Sequence, residues 1–197
     1  MDSSQPSEHV LVIPRERLTH AGRFSGFRPY DATFARSVLD PAMFQFRSRD
    51  DVEYDPAWVQ LIPYIVLTWD REVFHYTRGS GLEDRLPLRR SIGLGGHIRA
   101  EDAVGDGDAY RAGMLRELHE EVEILSTYHE TMMGFLYDPS MFVGELHLGI
   151  VHRLTLREPM VFARESSIDA AGFSSVAELR RLSDSFESWS KWVLEQL

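Results

Sequence analysis

Residues 95–124 read GGHIRAEDAVGDGDAYRAGMLRELHEEVEI. A glycine pair opens the stretch, a polar loop follows, and the remainder has the composition of a helix ending near Val122. Glu117, Glu120 and Glu121 are related as i, i+3 and i+4, so on a helix their carboxylates share one face. Like charges at that spacing repel, and an isolated helix gains nothing from them. A divalent cation removes the repulsion: Mg²⁺ takes oxygen ligands, commonly one or two carboxylates together with substrate phosphates. Leu115, Leu118 and Val122 fall on a different face, which packs into a core.

Working outward, Gly93-Leu94-Gly95-Gly96-His97 lacks the sixth-position glycine of a dinucleotide fingerprint. His119-Glu120-Glu121-Val122-Glu123 lacks the second histidine of a zinc-protease helix. The stretch resembles instead the signature of the Nudix hydrolases, the MutT-like superfamily, G-x5-E-x7-R-E-U-x-E-E-x-G-U with U aliphatic. Counting back from Arg116, Asp108 takes the first acidic position, and Leu118 and Ile124 fill the aliphatic ones. The chain departs from the pattern twice more. Twelve positions separate Gly96 from Asp108 where the family has six. Glu123 stands where the family has glycine, a residue that ends helices in a left-handed turn. Gly134-Phe135 and His147-Leu148-Gly149 extend the likeness to MutT-like chains described as predicted phosphoesterases.

The resemblance implies an α/β (α+β) fold: a Nudix α/β/α sandwich with a mixed central sheet, a catalytic helix and a C-terminal helix. It implies that Glu117 and Glu121 hold the metal, Mg²⁺ or Mn²⁺, with Glu120 assisting, and that Arg116 braces a glutamate. It implies hydrolysis of a diphosphate linkage in a nucleoside diphosphate linked to another group. Isopentenyl-diphosphate isomerases share the fold but use a catalytic cysteine, and this chain has no cysteine. A non-catalytic Nudix ligand sensor or interaction module is the other alternative.

Composition bounds the rest. At 197 residues and 43% hydrophobic content the chain suits one domain with a sizeable core, with residues 1–58 as an N-terminal extension. The absence of cysteine excludes disulfides and thiolate chemistry and fits a reducing compartment. The N-terminus MDSSQPSEHV lacks the features of a signal peptide. No apolar run is long enough to span a bilayer, and the expected location is cytoplasmic. A formal net charge of -10 repels polyanions, so long nucleic acid is not an expected partner, whereas metal and a few arginines can meet the charge of a small nucleotide diphosphate.

Along the chain, Val10 to Ile13 reads as a strand stopped at Pro14, Phe24 to Pro29 as loop, and Asp31 to Leu39 as one or two helical turns. Gln60 to Trp69 and Val73 to Thr77 read as strands joined by a tight turn at Asp70-Arg71. Gly79 to Pro87 reads as loop and Arg89 to Leu94 as a strand leading to the glycines. Tyr128 to Tyr137 reads as a strand, and so does Val143 to Leu156, with Leu146, Leu148 and Ile150 alternating against Glu145, His147 and Gly149. Ser175-Val176-Ala177-Glu178 is a capping box, and Leu179, Leu182, Phe186, Trp189 and Val193 form one apolar stripe. That stripe covers the sheet or serves a homodimer.

Several candidates sit around the glutamates. Gly95 and Gly96 allow a ligand close to the backbone. His97 borders them and contacts phosphate or stays on the surface. One of Arg78, Arg89 and Arg90 clamps a phosphate, or all three are solvated. Asp108 is a ligand or, better, a helix N-cap. Gly113 weakens its helix, which points to something packed closely against it. For a general base outside the helix, Glu130, Asp138 and Glu145 are the acids nearest in sequence. Glu145, with His147 two residues on, is preferred because both would share a strand face. Glu120, Glu145 and Arg116 are thus the candidate catalytic residues.

Overall fold

The computed structural model describes residues 7–79, 89–105 and 107–197. In chain order the elements are β1 (His9–Pro14), α1 (Arg15–Ala21), β2 (Gly26–Pro29), α2 (Ala32–Val38), β3 (Gln45–Ser48), α3 (Arg49–Val52), β4 (Trp58–Trp69) and β5 (Glu72–Arg78). Then come β6 (Arg90–Ser91), β7 (Gly93–Leu94), α4 (Ala109–Glu121), β8 (Val122–Ile124), β9 (Tyr128–Tyr137), α5 (Phe142–Glu145) and β10 (His147–Leu156). The chain closes with β11 (Val161–Ala163), β12 (Ile168–Ser175), α6 (Val176–Arg181) and α7 (Ser188–Leu194). This is the α/β class expected from the sequence. The loop expected over Gly79 to Pro87 lies outside the described residues from position 80 onward.

The chain divides into two compact units, each built from three segments. The first comprises Met1–Pro63, Gly96–Leu115 and Gly134–Ile150. In it β1 pairs antiparallel with β3 and with the start of β4, and β2 pairs antiparallel with the end of β9. The Gln60 N–H donates to the Leu146 carbonyl at 2.8 Å, next to β10. Leu11, Ile13, Phe34 and Phe135 are fully buried, and the rings of Phe34 and Phe135 meet edge-on at 4.7 Å. The N-terminal segment is therefore sheet and core of this unit. Gly26 to Pro29, expected as loop, is strand β2, because the Phe24 and Phe34 rings and the β9 edge give a short segment a buried partner.

The second unit comprises Tyr64–Gly95, Arg116–Met133 and Val151–Leu197. Its strands β12, β5 and β4 lie in that order, with β6 against β5 and β7 against β4, all antiparallel. The Thr68 hydroxyl donates to the Thr155 hydroxyl at 3.4 Å. With Gln60 beside Leu146 in the first unit, this fixes β4 and β10 as parallel, so the pairing is mixed. A separate two-stranded ladder joins β8 to β11.

Two expectations are corrected here. The apolar stripe of the C-terminus is not one helix. It breaks after Arg181 into a short 3-10 turn, Ser183–Ser185, and restarts at Ser188. Glu187 caps the new helix, accepting from the Trp189 and Ser190 N–H groups at 2.8 and 3.0 Å. Leu179, Phe186 and Val193 of the stripe are buried, but Leu182 is exposed. The second correction is at the start of β10: residues 142–145 form a helical turn, so Glu145 and His147 do not share a strand face.

Candidate functional site

The approach to the glycine pair is built by close packing. The ring of Tyr64 occupies the place where a side chain at Gly93 would be, 2.0 Å from a β-carbon built there. Tyr76 donates its hydroxyl to the Gly93 carbonyl at 2.8 Å. Gly95 has φ 125°, a conformation that favours glycine. That turn aims its N–H at Glu121, and the Gly95 N–H donates to the Glu121 carboxylate at 2.6 Å. The glycine is thus spent on orienting a glutamate rather than left open.

Helix α4 begins as the sequence requires. Asp108 caps it, its side chain accepting from the Arg111 N–H at 3.1 Å and its carbonyl from the Ala112 N–H at 2.9 Å. A β-carbon on Gly113 would stand 2.5 Å from the Asp102 carboxylate and 2.7 Å from Ile98, so the close neighbour inferred from this glycine is real. The helix ends at Glu121, and the chain passes directly into β8. Glu123 is paired opposite Phe162 and has no positive φ. A strand in place of the left-handed turn explains why glycine is not needed there.

At the other end of the helix the three glutamates separate into two groups. Arg116 donates from one amino group to Glu117 at 2.6 Å and to Glu120 at 3.1 Å. Glu117 is buried, at 9% exposure, whereas Glu120 faces solvent. Glu121 lies apart on the Gly95 N–H. Its carboxyl is pushed up to about 8, first by burial and then by the charges of Glu117 and Glu165, against the opposing Gly95 hydrogen bond and the charge of Arg78. Among the described residues no three acidic or histidine side chains converge. A confined pair of mutually repelling carboxylates nevertheless fits Mg²⁺, which takes one or two protein carboxylates and fills its remaining positions with water and phosphate.

The other candidates scatter. Arg89 donates to the Asp184 carbonyl at 2.7 Å, and the Arg90 guanidinium lies 5.7 Å from the centre of the Phe186 ring. Arg78, at the end of β5, lies in the electrostatic field of Glu121. In the first unit Gly96 is half-buried, and the His97 ring lies 5.7 Å from that of His147. Burial, with the charges of Arg49, His147 and Arg99, pushes His97 down to about 3, so it is neutral at pH 7. Glu145 is held by Arg15, which reaches its carboxylate at 3.2 Å and its carbonyl at 3.0 Å and also donates to Tyr137 at 2.9 Å. Asp138 is buried and accepts from the Ser140 N–H at 3.2 Å in a turn. Glu130, which has no distinguishing neighbour in sequence, lies 2.9 Å from the buried His152 imidazole. Glu165, whose charge reaches Glu121, carries no signal in the sequence at all. Its N–H meets the Glu121 carbonyl at 3.5 Å only because the chain returns there after β11.

No family model matches the chain. Protein YmaB of Bacillus subtilis (strain 168) is 32% identical over 200 residues, spanning 96% of this chain and 97% of that protein. The solved structure of Tm1382, provisionally assigned as a Nudix hydrolase, superposes with a TM-score of 0.80 at 28% identity, over 96% of this chain and 97% of the other. The chain belongs to the Nudix superfamily. A more distant Nudix-fold likeness is the bifunctional NMN adenylyltransferase/ADP ribose pyrophosphatase of Francisella tularensis, solved with AMP and a manganese ion. Its TM-score is 0.50 at 12% identity, over 70% of this chain and 40% of that one, and it shares the fold alone. Among the described residues of this Nudix protein no helix is long and apolar enough to cross a membrane.

Proposed function

We propose that this Nudix protein is a divalent-metal-dependent hydrolase that cleaves a diphosphate linkage in a nucleoside diphosphate bonded to another group. The observation that carries the reading is the pair Glu117 and Glu121, one turn apart on α4, confined, and each fixed by its own donor, Arg116 and the Gly95 N–H. The charge of Glu117 acts on Glu121, and a cation between them would relieve that repulsion. Mg²⁺ or Mn²⁺ held there supplies neutralisation of phosphate oxygens and a water of lowered pKa. The manganese ion in the Francisella structure supports that choice of metal.

The chain's own groups have separate tasks in this reading. The Gly95 N–H orients Glu121, and Arg116 holds Glu117 and Glu120 at fixed spacing. Glu120 faces solvent and takes the proton of the attacking water. Water adds to phosphorus in line, and the bridging oxygen leaves with the other phosphate. Glu145 is engaged by Arg15 and is given no task in this reading.

The test is a panel of nucleoside diphosphate conjugates incubated with Mg²⁺ or Mn²⁺, with products resolved chromatographically. Metal-dependent cleavage of the diphosphate is expected in wild type and lost in Glu121→Gln. In the same assay Glu120→Gln should lower kcat by about 10²–10⁴-fold, the usual worth of a general base, while Glu145→Gln keeps turnover. The reverse pattern would restore Glu145 to the mechanism. Binding without turnover across the panel would leave a ligand sensor, a reading favoured by Arg116's hold on two of the three acids.

A further inference from the structure

We propose that the cavity between α1 and the end of β9 is a binding site for a small aromatic carboxylate of single negative charge. The site lies wholly within the first unit, needs no metal and goes beyond the hydrolase reading.

The cavity has a volume of about 210 Å³. An apolar cavity of about 150 Å³ takes a benzene ring, so this one has room for a ring and a substituent of a few atoms. Leu18 of α1, Phe24 and Pro139 form its apolar wall. Gly22, at φ 110°, turns the chain out of α1 and brings Arg23 and Phe24 round to the same cavity. The Phe24 ring packs against Phe34 at 5.6 Å and against Tyr137 at 5.9 Å, so this wall is held in place by the core.

The polar wall is built on Arg15. Its guanidinium donates to the Tyr137 hydroxyl at 2.9 Å, to the Glu145 carboxylate at 3.2 Å, to the Glu145 carbonyl at 3.0 Å and to the Pro56 carbonyl. All three nitrogens are engaged, and Arg15 and Glu145 neutralise each other. Tyr137 is buried, at 5% exposure. Its oxygen accepts from Arg15, and among the described residues no acceptor takes its hydrogen. Buried hydroxyls are ordinarily satisfied, so a spare O–H on a cavity wall calls for an acceptor inside the cavity. Arg23 is the second cation of the lining. It is exposed, and among the described residues it has neither an ion pair nor a hydrogen bond.

Charge then selects the ligand. With Arg15 balanced by Glu145, Arg23 leaves the lining one net positive charge. A carboxylate matches that charge and accepts from both a guanidinium and a phenol. A phosphate monoester carries about 1.5 to 2 negative charges at pH 7 and exceeds it. The surroundings favour anions as well: residues 15–36 hold five arginines against Glu16 and Asp31, within a chain of net charge -10.

A titration of 4-fluorobenzoate, followed by its fluorine NMR signal in buffer containing EDTA, tests the assignment. Wild type should show saturable binding at a single site. Arg23→Ala should weaken it by about 10- to 100-fold, the worth of one charge-assisted hydrogen bond, and Tyr137→Phe by about 3- to 10-fold, that of a neutral one. Arg23→Lys should recover part of the loss. Thr19 also lines the cavity and is exposed, so Thr19→Phe fills the space and should abolish binding. Arg36→Ala on α2, outside the lining, should match wild type. Phenyl phosphate should displace the probe no better than benzoate does, and benzylamine should not displace it. Absence of saturable binding in wild type would overturn the proposal, and so would equal affinity in wild type, Arg23→Ala and Thr19→Phe. Displacement by benzylamine would overturn it too, since Glu145 would then govern the site. Phenyl phosphate binding more tightly than benzoate would overturn the carboxylate assignment. EDTA removes divalent metal, so these outcomes are separate from success or failure of the cleavage assay. Should Tyr137→Phe fail to fold, Arg23→Ala and Thr19→Phe, both at exposed positions, decide the matter.

Discussion

At the scale of single residues, burial decides which ionisable groups matter. His97 sits among Arg49, His147 and Arg99 and is held neutral, its pKa pushed down to about 3 from 6.5. The unfolded chain protonates this histidine below its ordinary pKa while the folded chain does not. Between those two values the unfolded state therefore binds more protons, and stability falls as the pH drops. Above the ordinary value the contribution is fully present. Chemical denaturation from pH 7 to pH 4 should show this fall, and His97→Asn should flatten it. An unchanged slope in the variant would assign the acid sensitivity to other groups. Glu145 teaches the complementary lesson. Its alternation with Leu146 and Leu148 is a strand pattern, but Arg15, 130 residues away in sequence, fixes it in a helical turn.

At the scale of elements, the ends of the helices carry the information. Where a glycine turn would have ended α4, the chain enters β8, with Glu123 paired opposite Phe162 and bonded to Arg164 at 2.9 Å. Glu123→Gly removes an exposed ion pair of small worth and adds a flexible residue to a strand. The melting temperature should stay the same or fall. A clear rise would mean that position 123 prefers the left-handed turn. Helix α7 depends on Glu187 more heavily. Besides capping the helix, this carboxylate accepts the Tyr64 hydroxyl at 2.8 Å and the Ser91 hydroxyl at 3.3 Å. Burial and the Glu187 charge push Tyr64 well above its ordinary pKa, so the phenol stays protonated and donates. Glu187→Ala removes a cap and leaves buried hydroxyls short of a partner. It should cost about 2–4 kcal/mol in urea unfolding, the sum of a lost cap and an unmet buried hydrogen bond. A loss within 0.5 kcal/mol, the range of an ordinary surface substitution, would show that Ser190 alone satisfies Tyr64.

At the scale of the whole molecule, charge is the governing property. Thirty-one acids against 21 lysines and arginines leave a formal charge of -10. Self-repulsion of that size opposes the compact state, and salt screens it over a Debye length of about 10 Å at 0.1 M. Raising NaCl from about 20 mM to about 0.5 M should therefore raise the melting temperature. A lowered value would show that the ion pairs, among them Arg49 with Glu8 and Glu53, outweigh the net repulsion.

By itself the sequence determined the family likeness and most elements near the box, because those signals are local. The spacing of Glu117, Glu120 and Glu121, the Asp108 cap, the tight turn at Asp70 and the strand Tyr128–Tyr137 are each set by a few adjacent residues. Only the tertiary structure decided which acids go where. It gave Glu120 and Glu117 to one arginine and Glu121 to a glycine N–H 26 residues away, brought Glu165 near Glu121, and put His152 beside Glu130. It also broke the C-terminal stripe, since capping by Glu187 and its bond to Tyr64 outweigh a periodicity that leaves Leu182 exposed. Side-chain partners far apart in sequence leave no periodic trace, and burial, which sets the price of each charge, exists only once the chain has folded.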